Sequence, residues 1–412
     1  MMRVRINKSK AFGKITAQPS KSYSHRLLIG AALSRKELVI ENVVLSNDIK
    51  ATIRCLNELG ISVIVSDNIA YIKPENIKLK DELIFDCGES GSTLRFFIPI
   101  ALTTGKKLIF KGTEKLISRG IGPYEEIFKV NNIKYNIDKD SITIEGKLES
   151  NEYYLPGNIS SQFITGMLYA LSLLDKDSKI ILTTNLESSN YVDMTIDVLS
   201  KFNVKVDNKN KDNINNLENN TYIIKGGQSF DNLDSILSVE GDYSNAAFID
   251  AFNYISGNVL INGLNENSYQ GDKVYKDLFE KLSKNEEVID ISNCIDLGPI
   301  LFCMASLKHG AHFINTSRLK IKESDRVLDL KNELEKFGVE VTDLGNEVII
   351  NNKNIKAPKE ELDGHNDHRL VMSLSVMLSV YGGVIRGAEA VNKSYPSFFD
   401  DLARLGIEVK YE

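Results

Sequence analysis

Six stretches of the chain are apolar around most of a helical circumference, and each opens on small or polar residues. They read SYSHRLLIGAALS, GSTLRFFIPIALTTG, SSQFITGMLYALSLL, DYSNAAFIDAFNYISG, DLGPILFCMASLKHG and DHRLVMSLSVMLSVYGG. A helix that is apolar on nearly all sides belongs in an interior. The stretches begin near Ser22, Gly91, Ser160, Asp242, Asp296 and Asp367, at successive intervals of 69, 69, 82, 54 and 71 residues. A β-like run follows each one: ELVIENV, KLIFKG, KIILTT, NVLING, AHFINT and GVIRGA. Next come a loop and a second helix with a single apolar face. In DIKATIRCLNEL, for example, Ile49, Ile53, Leu56 and Leu59 keep helical spacing. Strands such as ISVIV, VEVTDLGNEVII and IEVKY complete a unit of roughly β-α-β-α-β-β, repeated six times. Periods this long exceed solenoid repeats, so small domains of three units each are expected. The polar, Asn-rich stretch from Asp207 to Asn220 reads as an exposed loop, with a domain boundary shortly after it near Gly226.

A chain of 412 residues with 42% apolar residues has material for two or three cores. Its net charge of −6 disfavours a nucleic-acid groove or an anionic membrane surface, so any anion site must be local. The four cysteines form no CxxC pair and no His cluster accompanies them, which reads as reduced, buried thiols and no metal site. The start, MMRVRINKSK, lacks a signal-peptide apolar region, and the run Leu370 to Val380 is too short to span a bilayer. The expectation is a soluble, cytoplasmic protein. Arginine is scarce, 12 of 50 basic residues, yet Arg26, Arg95, Arg119, Arg318, Arg326 and Arg369 all fall at helix starts or in strand-to-helix loops. Arginine kept at such places suits bidentate recognition of oxyanions.

The helix starts carry the candidate chemistry. Unsatisfied backbone N–H groups and the dipole make a helix N-terminus attractive to anions. The first unit adds Lys21, Ser22 and Arg26; the second Gly91, Ser92 and Arg95; the third Ser160, Ser161 and Gln162. The fifth adds Asp296, and the sixth Asp367, His368 and Arg369. The loops contribute Arg119, Ser188, Tyr191, Lys320, Lys322, Glu323, Arg326 and Lys393. Asp296 and Asp367 also read as plain N-caps, and Glu323 with Arg326, at i and i+3, as a surface pair. Two such domains facing each other would make an anion-attracting cleft. No phosphate loop of the GxxxxGK[ST] type or GxGxxG fingerprint is present, so the inventory favours group transfer by acid–base and electrostatic catalysis.

PSKSYSHR, ESGSTLRF, SSQF, the Tyr191 loop, RLKIKESDR, NDHR and NKSYP stand in this order. In them the chain resembles, nearly end to end, the 3-phosphoshikimate 1-carboxyvinyltransferases (EPSP synthases) of the enolpyruvyl transferase family. The resemblance implies an α/β (α+β) fold, a two-domain inside-out α/β barrel of six β-α-β-α-β-β repeats with buried helices. It sets the lobes at 20–226 and at 1–19 with 227–412, and the active site in the cleft between them. The implied reaction moves the carboxyvinyl group of phosphoenolpyruvate to the 5-hydroxyl of shikimate 3-phosphate and releases phosphate, on the pathway to chorismate and the aromatic amino acids. No cofactor or metal is implied, and the enzyme is expected to act as a monomer. Lys21, Gly91, Arg95, Arg119, Gln162, Arg326, Arg369 and Lys393 would hold phosphoenolpyruvate. Lys21, Ser22, Arg26, Ser160, Ser161, Gln162, Ser188, Tyr191, Asp296 and Lys322 would hold shikimate 3-phosphate. Asp296 would accept the 5-hydroxyl proton, and Glu323 would protonate the methylene carbon with Lys21 and His368 in support. Arg318 is assigned no role.

Two other readings stand beside this one. An enolpyruvyl transferase acting on UDP-N-acetylglucosamine usually has Asn after the first Lys and a loop Cys near the second unit's Arg. Here Ser22 follows Lys21, and no Cys lies between Thr113 and Pro123. A non-catalytic anion-binding protein of the same fold should have lost Asp296, Glu323 or Lys393, and all three are present.

Overall fold

The computed structural model describes residues 1–75, 78–209, 220–231, 236–284, 287–352 and 355–412. Residues 210–219, the greater part of the Asn-rich stretch, lie outside the described residues. All six apolar stretches form helices: Lys21–Leu33, Gly91–Leu102, Ser161–Leu171, Tyr243–Ile255, Gly298–Leu307 and His368–Tyr381. They are buried along most of their length, as apolar residues on every side require. Five of them start at a side chain that accepts a first-turn N–H, from Ser20, Ser90, Ser160, Asp242 or Asp367. The Gly298–Leu307 helix instead has a proline in its first turn.

Six small mixed sheets account for the strands that pair. Glu82–Asp86 runs parallel to Lys107–Lys111, which pairs antiparallel with Ser141–Glu145, and that strand pairs antiparallel with Lys134–Ile137. A parallel pair cannot be closed by a tight turn, and the crossover here is the buried Gly91–Leu102 helix. In four of the sheets the apolar helix lies in this way between the two parallel strands. Four other sheets share the plan of one parallel and two antiparallel steps. The sixth is the parallel pair Asn258–Asn262 and Phe12–Thr16 alone. Strands such as Glu82–Asp86 turn Leu83 and Phe85 inward and leave Ile84 exposed, so each presents one face to the helices.

The chain divides into two compact units, Pro19–Glu240 and Met1–Gln18 with Gly241–Glu412. Each has its own hydrophobic core. The N-terminal residues join the second unit because Arg3–Ile6 pairs with both Gly383–Arg386 and Val409–Tyr411, while Phe12–Thr16 lies beside Asn258–Asn262. The first unit continues beyond Gly226, where the sequence reading set the boundary, as far as Glu240. The reason is Ile236–Ser238, which pairs in parallel with Leu38–Glu41 and supplies the parallel step of that sheet. Among the described residues no helix is long and apolar enough to cross a membrane.

Candidate active site

In the Pro19–Glu240 unit, the candidate cations sit mostly among neutral partners. Lys21 opens its helix, and its Nζ lies 2.9 Å from Asp48 Oδ2, in the first turn of the Asn47–Glu58 helix. Arg26, one turn further on, is 2% exposed. Its Nε donates to Thr195 Oγ1 at 2.9 Å, Nη1 to the Ser22 carbonyl at 2.8 Å and Nη2 to the Tyr191 carbonyl at 2.9 Å. The guanidinium also lies 5.4 Å from the Phe96 ring centre and 5.9 Å from that of Tyr191. Among the described residues no carboxylate pairs with Arg26, and burial moves its pKa down. Ser22 therefore enters this network through its backbone.

Arg95 owes its setting to a proline. Pro99 has no N–H to give the carbonyl four residues back, so the Arg95 carbonyl accepts the Tyr124 hydroxyl at 2.6 Å instead. Gly166 packs against the same carbonyl, where a Cβ would come within 2.4 Å of the oxygen. This close approach brings the Gly91–Leu102 and Ser161–Leu171 helices together. Gln162 then bridges them: Arg95 Nη1 donates to its Oε1 at 2.7 Å, and its Nε2 donates to Ser92 Oγ at 2.9 Å. Arg119 ends the short Glu114–Ser118 helix and lays its guanidinium along Gly91, where an added Cβ would meet Nη1 at 3.1 Å. Ser160 is the N-cap of the Ser161–Leu171 helix, accepting the Gln162 N–H, and Ser161 is buried in the first turn. Ser188 is buried with φ 55°, a left-handed residue that turns the chain into the Ser189–Lys201 helix carrying Tyr191.

In the other unit the candidate residues form an ion-paired cluster. Asp296 lies in the short 3-10 turn Ile295–Leu297, directly before the Gly298–Leu307 helix. Its carboxylate accepts Arg326 Nη1 at 3.1 Å and Arg369 Nη2 at 3.1 Å, and Lys322 Nζ is 3.4 Å away. Arg326 is fully buried. It also donates through Nε to Asp367 and through Nη2 to Glu323, both at 2.7 Å. Burial works against its charge, but Asp367, Glu323 and Asp296 more than offset it and move its pKa up. The Glu323–Arg326 pair is thus no surface pair. Asp367 does cap its helix, accepting the Arg369 N–H at 2.9 Å, and clamps Arg326 as well. His368 is buried in the first turn of that helix, and Lys393 donates to the Asn366 carbonyl. Lys322 is brought down to about 8 by burial, with Arg318 and Arg326 adding to the shift against the pull of Asp296. Arg318, buried, donates to the Ser292 carbonyl at 3.1 Å.

Three residues escaped the sequence reading. Asp48 looked like an ordinary first-turn acid, a signal too common to single it out. Asp272 and Ser244 carry no periodic signal at all. Asp272 is 3% exposed and its pKa is pushed up to about 7, chiefly by burial and then by the charge of Asp296; its carboxyl accepts the Ser244 hydroxyl. Two carboxyls of one unit thus stand in different settings: Asp296 pairs directly with three cations, whereas Asp272 is buried against a hydroxyl and feels Arg369 only at longer range. Among the described residues no group of three or more His, Cys, Asp or Glu side chains is placed to hold a metal ion.

The profile of the EPSP synthase (3-phosphoshikimate 1-carboxyvinyltransferase) family matches residues 6–402. The chain is 39% identical to a 3-phosphoshikimate 1-carboxyvinyltransferase of Clostridium novyi, with 98% of both chains covered. It is 40% identical to one of Clostridium acetobutylicum over the same shares. Among solved structures, EPSP synthase from Acinetobacter baumannii superposes with a TM-score of 0.78 at 19% identity, covering 100% of both chains. The enolpyruvyl transferase NikO from Streptomyces tendae superposes at 0.76 and 11% identity, covering 100% of this chain and 98% of its own. At these identities the structural likenesses speak to the fold.

Proposed function

Since the chain belongs to the EPSP synthase family and has 3-phosphoshikimate 1-carboxyvinyltransferase activity, we propose that its two charged clusters together hold the substrates the family implies, phosphoenolpyruvate and shikimate 3-phosphate. In this reading each unit is an inside-out α/β barrel, and the helix starts of both line the cleft where the reaction runs. Lys21, Gly91, Arg95, Arg119, Gln162, Arg326, Arg369 and Lys393 take phosphoenolpyruvate. Ser22, Arg26, Ser160, Ser161, Ser188, Tyr191 and Lys322 take shikimate 3-phosphate, with Lys21, Gln162 and Asp296 shared or adjacent. The role of Arg26 is then to present one face of a guanidinium whose other donors are already used by the fold.

The reading rests above all on Asp296, held by Arg326, Arg369 and Lys322 at 3.1–3.4 Å. Cations this close make a carboxylate a poor base. Anionic substrates drawn to Arg369 and Lys322 compete for the same positive charge, so Asp296 gains basicity only in the loaded site. It then takes the proton of the 5-hydroxyl as that oxygen attacks C2 of phosphoenolpyruvate. Glu323, which takes up a proton from solvent as Arg326 turns to the incoming phosphoenolpyruvate, delivers it to the methylene carbon, with Lys21 and His368 in support. The resulting tetrahedral species loses phosphate and returns a proton from the methyl carbon, so the enol group is restored on the product.

Phosphate release measured with both substrates, and with each alone, tests the reaction: release should need both. Asp296→Asn should lower turnover by about 10²-fold or more, the scale of a positioned acid or base. A variant with near wild-type turnover would remove Asp296 from the chemistry.

A further inference from the structure

Inside the Pro19–Glu240 unit, a line of polar side chains crosses three helices through otherwise apolar surroundings. His25 Nδ1 lies 2.7 Å from Thr52 Oγ1, and Thr52 Oγ1 lies 2.8 Å from Thr93 Oγ1. Thr93 Oγ1 in turn lies 2.8 Å from Ser90 Oγ. None of the four residues is more than 1% exposed. His25 belongs to the Lys21–Leu33 helix, Thr52 to Asn47–Glu58, and Thr93 to Gly91–Leu102, whose N-cap is Ser90. The far nitrogen of His25, Nε2, has no hydrogen-bond partner among the described residues, and its ring meets Phe96 edge-on at 6.2 Å. The imidazole is therefore fixed by one polar contact and by packing.

We propose that His25, Thr52, Thr93 and Ser90 form a positioning relay that sets the starts of the Lys21–Leu33 and Gly91–Leu102 helices at the spacing the phosphoenolpyruvate site needs. The inference rests on the reading above, in which Lys21, Gly91 and Arg119 hold that substrate. Both ends of the relay reach it. At one end Ser90 accepts the Thr93 N–H and fixes the first turn that presents Gly91 to Arg119. At the other, His25 lies one turn after Lys21 on the Lys21–Leu33 helix, and its partner Thr52 lies one turn after Asp48, the carboxylate that holds Lys21 at 2.9 Å. Thr93 Oγ1 also approaches the Asp48 carbonyl at 3.5 Å, which ties the two ends together. A buried hydroxyl that loses its partner is costly, so the line favours the helix spacing at which each hydroxyl keeps one. Burial, and then the charges of Lys21 and Arg26, move the His25 pKa well down, so the ring stays neutral and the relay does not titrate. Among the described residues the relay otherwise touches hydroxyls, the Asp48 carbonyl, the Thr93 N–H and the Phe96 ring.

Thr52→Val removes the central hydroxyl at nearly constant volume, and Thr52→Ser keeps it. Thr52→Val should raise KM for phosphoenolpyruvate by about 10-fold or more, because small misplacements of binding groups are expensive. KM for shikimate 3-phosphate and kcat, which the relay reaches only through the shared Lys21 and not through Gly91 and Arg119, should each change by less than about threefold, the pH profile should keep its shape, and Thr52→Ser should restore wild-type values. An unchanged KM for phosphoenolpyruvate in Thr52→Val overturns the relay. So does a parallel rise in both KM values, or a Thr52→Ser variant as impaired as Thr52→Val. If Thr52→Val does not fold, Thr93→Ala carries the same expectations and decides the matter in its place. Wild-type protein that releases no phosphate with both substrates would refute the site reading itself, whereas active wild type with a silent Thr52→Val refutes only the relay.

Discussion

Arg26 in the Pro19–Glu240 unit is buried against a hydroxyl, two carbonyls and two ring faces, whereas Arg326 in the other unit is buried against three carboxylates. Arg119, in the first unit, likewise pairs with no carboxylate among the described residues. Neutral partners orient a guanidinium without cancelling its charge, so its field remains available to an anion. Carboxylate partners cancel it: Asp296, Glu323 and Asp367 face Arg326, Arg369 and Lys322, three acids against three bases. The first arrangement is suited to attracting substrate. The second is suited to holding acid–base groups in fixed positions. The same residue type thus keeps an uncancelled charge in one unit and a cancelled one in the other, and the difference lies in the partners.

The largest test of that contrast is Arg326→Met. It leaves Asp367 buried without its cation, so stability should fall by about 3–5 kcal/mol, the usual cost of breaking a buried ion pair from one side. Chemical denaturation measures it, and a loss within about 1 kcal/mol of zero would mean that the cluster orders nothing. Arg119→Ala should do the reverse. With no ion pair to break, its Tm should stay near wild type, while kcat/KM for phosphoenolpyruvate falls by about 10- to 100-fold, the value of a charged hydrogen bond. A clear drop in Tm with unchanged kcat/KM would make Arg119 structural and collapse the comparison. The smallest effect concerns Lys322. Its pKa near 8 lies below the usual lysine value, so it is charged below pH 8 and loses its charge as pH rises through that value. KM for shikimate 3-phosphate should therefore climb a few-fold between about pH 7.5 and 9.5, and Lys322→Arg should flatten that rise because arginine stays charged. An equally steep rise in Lys322→Arg would assign the ionisation to another group.

The buried helices and their polar starts were legible because an all-round apolar helix has few places to go, and Ser or Asp before it marks where it begins. Lys21, Arg95, Asp296 and Arg369 stand at or beside such starts and could be named from that alone. Asp48 and Thr52 could not, because one polar residue in an amphipathic helix looks like solvated surface. Each becomes informative only when another helix brings Lys21, His25 or Thr93 against it. Pro99 was visible in the sequence, but its freed carbonyl gains meaning from Tyr124 and Gly166, which are remote in the chain. The place of Ile236–Ser238 was hidden for a similar reason: three residues beside Leu38–Glu41 carry almost no local signal, yet they hold the chain in the first unit to Glu240.

The sequence by itself determined the repeat, the helices that must be buried, and the residue types at their starts, since hydrophobic period and capping act over a few neighbouring residues. Tertiary structure alone decided which partners the polar side chains meet: hydroxyls and rings for Arg26, carboxylates for Arg326, and a buried hydroxyl for Asp272. Charge state and orientation depend on distances of a few ångströms between side chains far apart in the chain, and no local pattern encodes them.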